Sequence, residues 1–557
     1  MKTFFILVFT VLLAAGCSNK DVKPPDPPPP TPTLLLIEEV KIGNKTTSTT
    51  GSTQYDIPVN SVVKIRFNKK INRATSGGAF LYYFGNTASS YQYENGDSTV
   101  VIKPDLNLLN LVKYTINITD NLKATDDTKL TNLAQFFFTT SMDSSDKMPV
   151  ISDNALLDVV QQRTFKYFWD FGHPVSGLAR ERNNGSNETV TSGGSGFGIM
   201  CIPVAISRNF ITRAQGLARM QTIVGFLKNT AQKFHGAFPH WLNGTTGAVI
   251  PFSTKDDGAD LVETSYLMAG LLTARQFFNG ADPAETTLRN DINTLWNAVE
   301  WNWFRQGSQN VLYWHWRPNY AWQMNHKIEG WNECLITYIM AASSTTFGIP
   351  QVVYKEGFAR NGAMANGATY YGYQLPLGPP LGGPLFWAHY SFLGINPNGL
   401  SDTYANYQTQ VVNHAKINYE YCKANPRNHF GYSALCWGIS ASDVPAGYNA
   451  NEPNSDLGVI APTAALSSFP YTPVESMAAL KFFYYKLGDR LFDQNGFTDA
   501  FSIKECWFAN SYLAIDQGPI MIMIENYRSG LVWNLLTSCP EIKNGMKNVL
   551  GFTAPYL

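Results

Sequence analysis

The sequence predicts two folded domains, a β-sandwich followed by a larger all-α domain. Residues 34–142 alternate apolar and polar positions between turn signals, which is typical of short strands. From residue 148 to residue 557 the chain consists of helical segments that alternate between amphipathic and apolar nearly all round. A chain of 557 residues with 44% hydrophobic residues has enough apolar surface for two such domains.

The first 33 residues are predicted to lie outside both domains. Residues 1–16 combine a positive start, a short apolar run and small residues, which is typical of a signal peptide and too short for a membrane span. Residues 17–33 are rich in proline and predict a stiff linker. Cys17 after Ala-Ala-Gly resembles a bacterial lipobox. This resemblance implies lipidation at Cys17 and anchorage in the bacterial cell envelope, on the periplasmic or surface side of the outer membrane.

The predicted sandwich rests on alternating segments and the turns between them. Val62–Asn68 and Lys113–Ile118 alternate apolar and polar residues, and Asn95-Gly96-Asp97 marks a turn. Short strands at this spacing over about 100 residues indicate a β-sandwich. The segment resembles the bacterial Ig-like modules that stand beside surface enzymes. It contains no acid cluster or nucleophile, so we expect a spacer or accessory role.

The all-α region alternates outer and inner helices. Amphipathic helices are predicted near residues 153–171, 213–234, 285–304, 404–424 and 474–488. Apolar helices are predicted at residues 194–206, 260–279, 331–343, 458–466 and 516–536. An apolar helix is buried and an amphipathic one lies outside, so the alternation predicts helical hairpins around a centre. About six pairs fit, which is the architecture of an (α/α)6 toroid; the alternative, a stacked α-solenoid, needs an internal repeat that we do not find.

Several inner helices begin with carboxylates. Asp260 and Glu263 open the helix at 260–279, Glu333 opens the helix at 331–343, and Asp516 opens the last one. Acids at a helix start also favour the helix itself, as an N-cap or through the helix dipole. If the inner helices point the same way, these acids meet at one end of the central cavity. Such a cluster predicts a site that moves protons.

Aromatic and amide residues crowd the loops before these helices. Rings interleaved with polar groups suit the faces and hydroxyls of sugars, although each ring is equally compatible with the core. The candidate substrate-binding residues are Trp241, Trp314, Trp331, Trp387, His389, Tyr390 and Trp437, together with Asp516.

Composition and motifs argue against other classes of partner. The formal net charge is zero, which argues against nucleic acid as a partner. The chain has no P-loop, no HExxH motif and no Gly-x-Ser-x-Gly nucleophile elbow. The histidines are scattered, so we predict neither a metal nor a cofactor. The cysteines beyond Cys17 are far apart and are predicted to be buried thiols.

The helical region resembles the glucoamylase-like proteins of bacteria, and most closely glycoside hydrolase family 144. The motifs that carry this resemblance are Arg163-Thr-Phe-Lys-Tyr-Phe-Trp-Asp, Gly196-Phe-Gly-Ile, Asp257-Gly-Ala-Asp-Leu-Val-Glu-Thr, Gly330-Trp-Asn-Glu, Phe386-Trp-Ala-His-Tyr-Ser, Cys436-Trp-Gly-Ile-Ser-Ala-Ser-Asp and Asp516-Gln-Gly-Pro. The resemblance implies an (α/α)6 fold and an inverting hydrolase of β-1,2-glucan or its oligosaccharides. It places the critical acids on Asp260, Glu263 and Glu333. Internal cleavage and release of disaccharides from a chain end both stay open, and we expect a monomer.

Inversion needs one carboxylic acid to protonate the leaving oxygen and one carboxylate to activate water. We assign the acid to Glu333, and we expect Glu263 and Asp260 to position sugar or water. The base stays open among Asp516, Asp443 and Asp456. The alternatives are a non-catalytic glycan-binding lipoprotein, a hydrolase of another glucan, and a polysaccharide lyase, although a lyase needs a basic cleft that the zero net charge does not favour.

Overall fold

The computed structural model describes residues 34–47, 52–83, 88–131 and 134–557. The predicted signal peptide, the proline-rich linker and Cys17 lie outside these residues. Contacts divide the chain into two compact units. Among the described residues, the first contains those up to Ser52 and those within Ser61–Leu106 and Thr115–Phe136. The second contains those within Phe137–Leu557, Thr53–Asn60 and Asn107–Tyr114. Among the described residues, the helices are all too short or too polar to cross a membrane.

The N-terminal strands form two sheets. In the described residues they are β1 (Ile37–Ile42), β2 (Lys45–Thr47), β3 (Gln54–Ile57), β4 (Val63–Phe67), β5 (Phe80–Tyr83), β6 (Ser89–Glu94), β7 (Thr99–Pro104), β8 (Lys113–Ile118) and β9 (Ala134–Thr140). One sheet has the order β2-β1-β4-β7-β6 and the other β3-β9-β8-β5. Of these pairs, β1 with β2, β1 with β4, β4 with β7, β6 with β7 and β5 with β8 are antiparallel, and β3 with β9 is parallel. Val63, Ile65 and Phe67 are buried along β4, so the predicted alternation is confirmed.

The second unit is helical. Its helices are α1 (Asp153–Trp169), α2 (Ser192–Ser207), α3 (Arg213–Asn229), α4 (Leu261–Phe277), α5 (Pro283–Ala298), α6 (Leu335–Ser343), α7 (Gln351–Val353), α8 (Tyr407–Ala424), α9 (Pro462–Leu466), α10 (Pro473–Lys481), α11 (Leu487–Leu491), α12 (Ala514–Arg528), α13 (Leu531–Thr537) and α14 (Pro540–Asn544). The predicted alternation is confirmed, because α2, α4, α6, α9 and α12 are buried almost throughout whereas α3, α5 and α8 keep an exposed face.

Three predicted inner helices differ from the structure at their ends. The helix expected from residue 331 begins at Leu335, so Glu333 precedes it instead of lying in its first turn. The helix expected at 516–536 is divided into α12 and α13, because Gly530 between them adopts a positive φ of 71°. The helix expected at 458–466 begins only at Pro462, the first helical position that proline favours.

Glycines let the inner helices approach closely. A Cβ on Gly196 in α2 would lie 2.3 Å from the carbonyl oxygen of Tyr266 in α4, and a Cβ on Gly270 in α4 would lie 2.3 Å from the carbonyl oxygen of Gly196. On the other side of α2, a Cβ on Gly518 in α12 would lie 2.4 Å from the Cβ of Phe197. Helix α2 therefore packs backbone to backbone with α4 and is in close contact with α12.

The six cysteines in the described residues are free thiols, and five of them are buried. This agrees with the prediction of buried thiols.

Candidate active site

Glu263 lies where α2 and α4 meet. Its side chain is buried, and its Oε2 accepts hydrogen bonds from the backbone N–H of Gly193 at 2.7 Å and from Thr191 Oγ1 at 3.4 Å. Gly193 is in the first turn of α2, where free N–H groups favour an anion. Burial, opposed by the charge of His240 and reinforced by that of Asp260, raises the pKa of Glu263.

Asp260 caps helix α4 and holds a histidine. Its Oδ1 accepts hydrogen bonds from the N–H groups of Val262 at 3.0 Å and Glu263 at 2.9 Å, so the predicted N-cap is confirmed. Its Oδ2 lies 3.1 Å from Nδ1 of His240. Burial disfavours the carboxylate, but the hydrogen bond and charge of His240 outweigh burial and lower the pKa of Asp260. Asp260 is therefore the ionised member of the group.

His240 is the cationic partner of these acids. Burial opposes its protonation, but the charge of Glu263, the hydrogen bond that the ring donates to Asp260 and the charge of Asp260 raise the pKa of His240 to about 9. At neutral pH the imidazolium therefore offsets part of the negative charge of the site.

Asp256 and His315 complete this cluster. Residues 259–260 pair antiparallel with residues 315–316, which brings His315 Nε2 to 3.4 Å from Asp256 Oδ2 and 3.9 Å from Asp260 Oδ2. The ligand atoms of His240, Asp256 and Asp260 all lie within 4.8 Å of one another. These residues could therefore hold a metal ion, a grouping that the scattered histidines of the sequence did not indicate.

Glu333 stands in the loop before α6. Its backbone carbonyl accepts hydrogen bonds from Tyr266 at 3.4 Å and from Ser391, which holds this loop against α4. Desolvation by burial and, to a smaller extent, the charges of Glu263 and Asp260 raise the pKa of Glu333 to about 7. A carboxyl group that keeps its proton near neutral pH has the property that a general acid needs.

Two adjacent cavities lie on the side of the cluster that His240 faces, and Glu263, Asp260 and Glu333 do not line them. One has a volume of about 450 Å³ and is lined by Thr191, His240, Trp241, Phe252 and Tyr448, among others. The second, also about 450 Å³, shares Arg182 and Tyr448 with the first and extends along Asp443 and Trp507. Both volumes are in the range of small-ligand sites. Aromatic walls with a few charged groups suit a sugar chain.

A second group of acids lies next to these cavities. Asp443 receives Arg182 Nη1 on both carboxylate oxygens at 3.2 Å and also accepts from Ser511 Oγ at 2.5 Å. Its backbone N–H donates to Asp499 Oδ2 at 2.6 Å. Asp499 Oδ1 and Asp516 Oδ2 are buried, and neither oxygen has a hydrogen-bond donor among the described residues.

Asp499 and Asp516 influence each other strongly. Burial and the neighbouring Asp499 raise the pKa of Asp516 well above its ordinary range, and burial raises the pKa of Asp499 to about 6. Two buried carboxyl groups this close share one proton, because both cannot be ionised together.

Four predicted substrate residues lie at or near the cavities. Trp241 lines the first cavity. Trp314 is partly exposed, and its carbonyl accepts from the N–H of Leu261 at 2.9 Å. Asp516 belongs to the second acid group, and Tyr390 donates to the carbonyl of the adjacent Ile515 at 3.1 Å. The structure therefore brings together Trp241, Trp314, Tyr390 and Asp516 with the predicted acids.

Other predicted site residues belong to the protein interior, which corrects the sequence-based expectation. Trp437 is fully buried and donates its indole N–H to the carbonyl of Glu475 at 3.2 Å. His389 is 2% exposed, with Nε2 3.0 Å from Ser468 Oγ. Trp331 is 4% exposed against Phe392 and Tyr407. These side chains have no surface for a sugar.

Two further candidates differ in their surroundings. Trp387 is partly exposed and packs against Gly383, where an added Cβ would meet its ring at 2.8 Å. Asp456, one of the candidate bases, accepts hydrogen bonds from Tyr421 at 3.2 Å and Tyr432 at 2.8 Å. Its role is to anchor a loop, so the structure removes Asp456 from the list of bases.

Several residues of the site were not among the predicted site residues. They are Glu181, Arg182, His240, Phe252, Asp256, His315, Tyr448, Asp499 and Ser511. His240 and His315 stand in the aromatic loops that the sequence indicated, and Asp256 lies four residues before Asp260, next to a family motif. The others come from loops far apart in sequence, and no local pattern marks them.

Comparison with known proteins agrees with this picture. The family model described as "Putative glucoamylase" matches residues 325–540, and a bacterial Ig-like domain matches residues 44–140. A curated relative from Parabacteroides distasonis, an exo β-1,2-glucooligosaccharide sophorohydrolase (non-reducing end), is 44% identical over 420 residues, or 72% of this chain. The chain spans 58% of that relative's length.

Two solved structures are similar over the whole of their length. A "putative glucoamylase" from Bacteroides uniformis is 54% identical, with a TM-score of 0.72 over 74% of this chain and 100% of that one. An endo-β-1,2-glucanase from Chitinophaga pinensis, in complex with sophorotriose and glucose, is 50% identical, with a TM-score of 0.72 over 73% of this chain and 100% of that one.

The fold is thus that of a helical protein whose structural neighbours include an endo-β-1,2-glucanase. The chain belongs to the putative glucoamylase family and carries a bacterial Ig-like domain in its N-terminal region. The resemblance that the sequence motifs indicated is confirmed for both parts of the chain.

We predict that Gly193→Ala displaces the carboxylate of Glu263. The added Cβ would lie 2.5 Å from Glu263 Oε2, so the side chain has to leave the N–H of Gly193. We expect a loss of about 1–3 kcal/mol in the free energy of unfolding, measured by denaturant titration, and a moved Glu263 in a crystal structure. Gly225→Ala is the control, because its Cβ would meet no atom within 4 Å. An unmoved Glu263 in the Gly193→Ala protein would contradict this account.

Proposed function

We propose that this protein is a glycoside hydrolase that cleaves β-1,2-glucan or its sophoro-oligosaccharides with inversion. The observation that carries the proposal is Glu333, a carboxyl group with a pKa of about 7 beside Glu263 and Asp260. The names of the similar proteins, a sophorohydrolase and an endo-β-1,2-glucanase, support the substrate. A non-catalytic glycan-binding protein would have no need for a carboxyl group kept protonated in this position.

We propose an (α/α)6 toroid as the scaffold. Helix α2 packs against both α4 and α12, α4 packs against α6, and α12 packs against α9. The short helical turns at Tyr390–Phe392 pack against α6. These neighbours supply most of a closed ring of inner elements, with the outer helices α1, α3 and α5 beside them.

In the proposed reaction, Glu333 donates its proton to the oxygen of the scissile bond as the bond to the sugar breaks. Asp260 remains ionised and, with Glu263, accepts hydrogen bonds from sugar hydroxyls or water. The imidazolium of His240 is hydrogen-bonded to Asp260 and attracts the charge of Glu263, so it holds both acids in position. Trp241 and Trp314 provide ring faces on which glucose units can stack.

We propose the Asp499–Asp516 pair as the base. Asp443 is the weaker candidate, because Arg182 and Ser511 already occupy its oxygens. Asp516 Oδ2 has no such partner, and the neighbouring Ile515 lines the first cavity. The pair carries one proton and one negative charge, and that charge accepts the proton of the attacking water.

We also propose that the protein is a lipoprotein, anchored through Cys17 in the cell envelope, and that it acts as a monomer. The support is the sequence before Cys17, a short apolar run followed by Ala-Ala-Gly. The predicted linker at residues 17–33 would keep the enzyme at a distance from the membrane.

We predict that Glu333→Gln lowers hydrolysis of linear β-1,2-glucan by about 10²–10⁴-fold, because the amide cannot donate the proton. The rate is measured by chromatography of the products, and the anomer first released by wild type is read by NMR. A panel of other β-glucans tests the linkage.

Glu329→Gln is the matched control, since Glu329 is exposed four residues earlier. Full activity of the Glu333→Gln protein would remove Glu333 from its role. Release of the retained anomer by wild type would refute inversion.

The rate should depend on the proton of Glu333. With a pKa of about 7, the acid is protonated below pH 7 and loses its proton above it. We therefore expect kcat to fall about tenfold per pH unit above 7. This is measured as the dependence of kcat on pH with sophoro-oligosaccharides as substrate. If kcat has already fallen by pH 5, the carboxyl group of Glu333 has its ordinary pKa.

Asp516→Asn should lower kcat by about 10²–10⁴-fold, because it removes one carboxyl group of the pair that accepts the proton of water. Asp456→Asn is the control: it is equally buried but is held by tyrosines, so we expect reduced thermal stability with kcat retained. If the two variants kept equal activity, Asp516 would have no part in the reaction.

A further inference from the structure

A pair of histidines and a pair of aspartates converge beside the proposed acid. They come from three segments: His240 follows a loop, Asp256 and Asp260 precede α4, and His315 lies in the strand that pairs with residues 259–260. The ligand atoms of His240, Asp256 and Asp260 lie within 4.8 Å of one another. His315 adds a second imidazole nitrogen to this group.

The distances have the scale of a tetrahedral metal site. Zinc binds histidine nitrogen and aspartate oxygen at about 2.0–2.2 Å, so neighbouring ligand atoms in a tetrahedron are about 3.3–3.6 Å apart. The observed separations are 3.1 Å from His240 Nδ1 to Asp260 Oδ2, 3.4 Å from His315 Nε2 to Asp256 Oδ2, and 3.9 Å from His315 Nε2 to Asp260 Oδ2. The ligand atoms would have to move closer together to complete a tetrahedron around an ion.

Asp256 has few polar partners in the structure, and burial raises the pKa of its carboxyl group to about 7. Its side chain is only 5% exposed, and its Oδ1 has no hydrogen-bond partner. Its Oδ2 lies 3.4 Å from Nε2 of His315. The nearby Arg317 contacts Asp257 and the carbonyl of Thr254. A buried carboxylate without a donor costs free energy unless a cation joins it.

The charges of the group also balance. A histidine binds a metal in its neutral form, so the ion would displace the proton that His240 carries at neutral pH. Two ionised aspartates and two neutral histidines then carry two negative charges, which a divalent cation neutralises. Nitrogen ligands favour zinc over the oxygen-seeking magnesium.

We propose that His240, Asp256, Asp260 and His315 form a binding site for Zn²⁺, and that Zn²⁺ bound there inhibits the enzyme reversibly. The ion would bind Asp260 Oδ2 in place of His240. It would thereby neutralise the negative charge of Asp260, which positions the sugar. His240 lines the first cavity, so the ion would also alter its wall. The inhibition rests on the proposed function, whereas the binding does not.

The test is calorimetric titration of the chelator-treated, full-length protein with ZnCl₂ alone. We expect one Zn²⁺ per chain with a Kd below about 10 μM, and no binding of MgCl₂. Asp256→Asn and His315→Gln should weaken Zn²⁺ binding by about 100-fold. His240→Gln is a third variant: its side chain is 24% exposed, so it is expected to fold even if the buried variants do not.

His326→Gln is the matched control. His326 is exposed, and its ring centroid lies 5.8 Å from that of His315, but it does not belong to the group. It should bind Zn²⁺ as wild type does. Absence of Zn²⁺ binding by wild type, or equal loss in the His326→Gln and His240→Gln proteins, would overturn the proposed site.

The Glu333→Gln protein separates the two proposals. It should bind Zn²⁺ with unchanged affinity although it does not hydrolyse glucan. In wild type, Zn²⁺ should abolish hydrolysis and EDTA should restore it. Zn²⁺ binding without inhibition would overturn the inhibitory role alone, and full activity of Glu333→Gln would contradict the proposed acid while leaving the metal site intact.

Discussion

The close approach of α2 and α4 is the constraint on which the site depends. Gly196 and Gly270 leave no room for a side chain between the two backbones, and Gly193 leaves room for the carboxylate of Glu263. An acid from one inner helix is therefore held by the first turn of the next. Larger residues at these positions would separate the helices and deprive Glu263 of its donors.

Acidic and basic residues from several loops surround this contact. Asp260 caps α4 and binds His240, while His315 approaches Asp256 and Asp260 from the paired strand. Asp260 and Glu263 gain hydrogen-bond donors, whereas Asp499 and Asp516 are close enough to compete for one proton. The consequence is a set of carboxyl groups that differ in protonation state within one site, which is what acid and base chemistry at one pH requires.

Much of the fold was predictable because apolar residues recur in the sequence with the period of the buried positions. The all-round apolar character of α2, α4 and α12 identified them as inner helices, and Asp260 was recognisable as an N-cap. The aromatic residues were not predictable in the same way. Trp437 and Trp331 pack in the core while Trp241 lines a cavity, yet all three occur in similar loops, because an indole ring suits the interior and a sugar equally well.

The sequence by itself determined the two-domain organisation, the alternation of outer and inner helices, the family, and the positions of Asp260 and Glu263 at the start of α4. These features are local, since they depend on periodicity, capping and short motifs. Tertiary structure decided which acids share a site, which tryptophans reach the cavity, and that Asp256 and His315 join the group. Those facts depend on contacts between segments separated by tens to hundreds of residues, and only the packing of the helices brings such segments together.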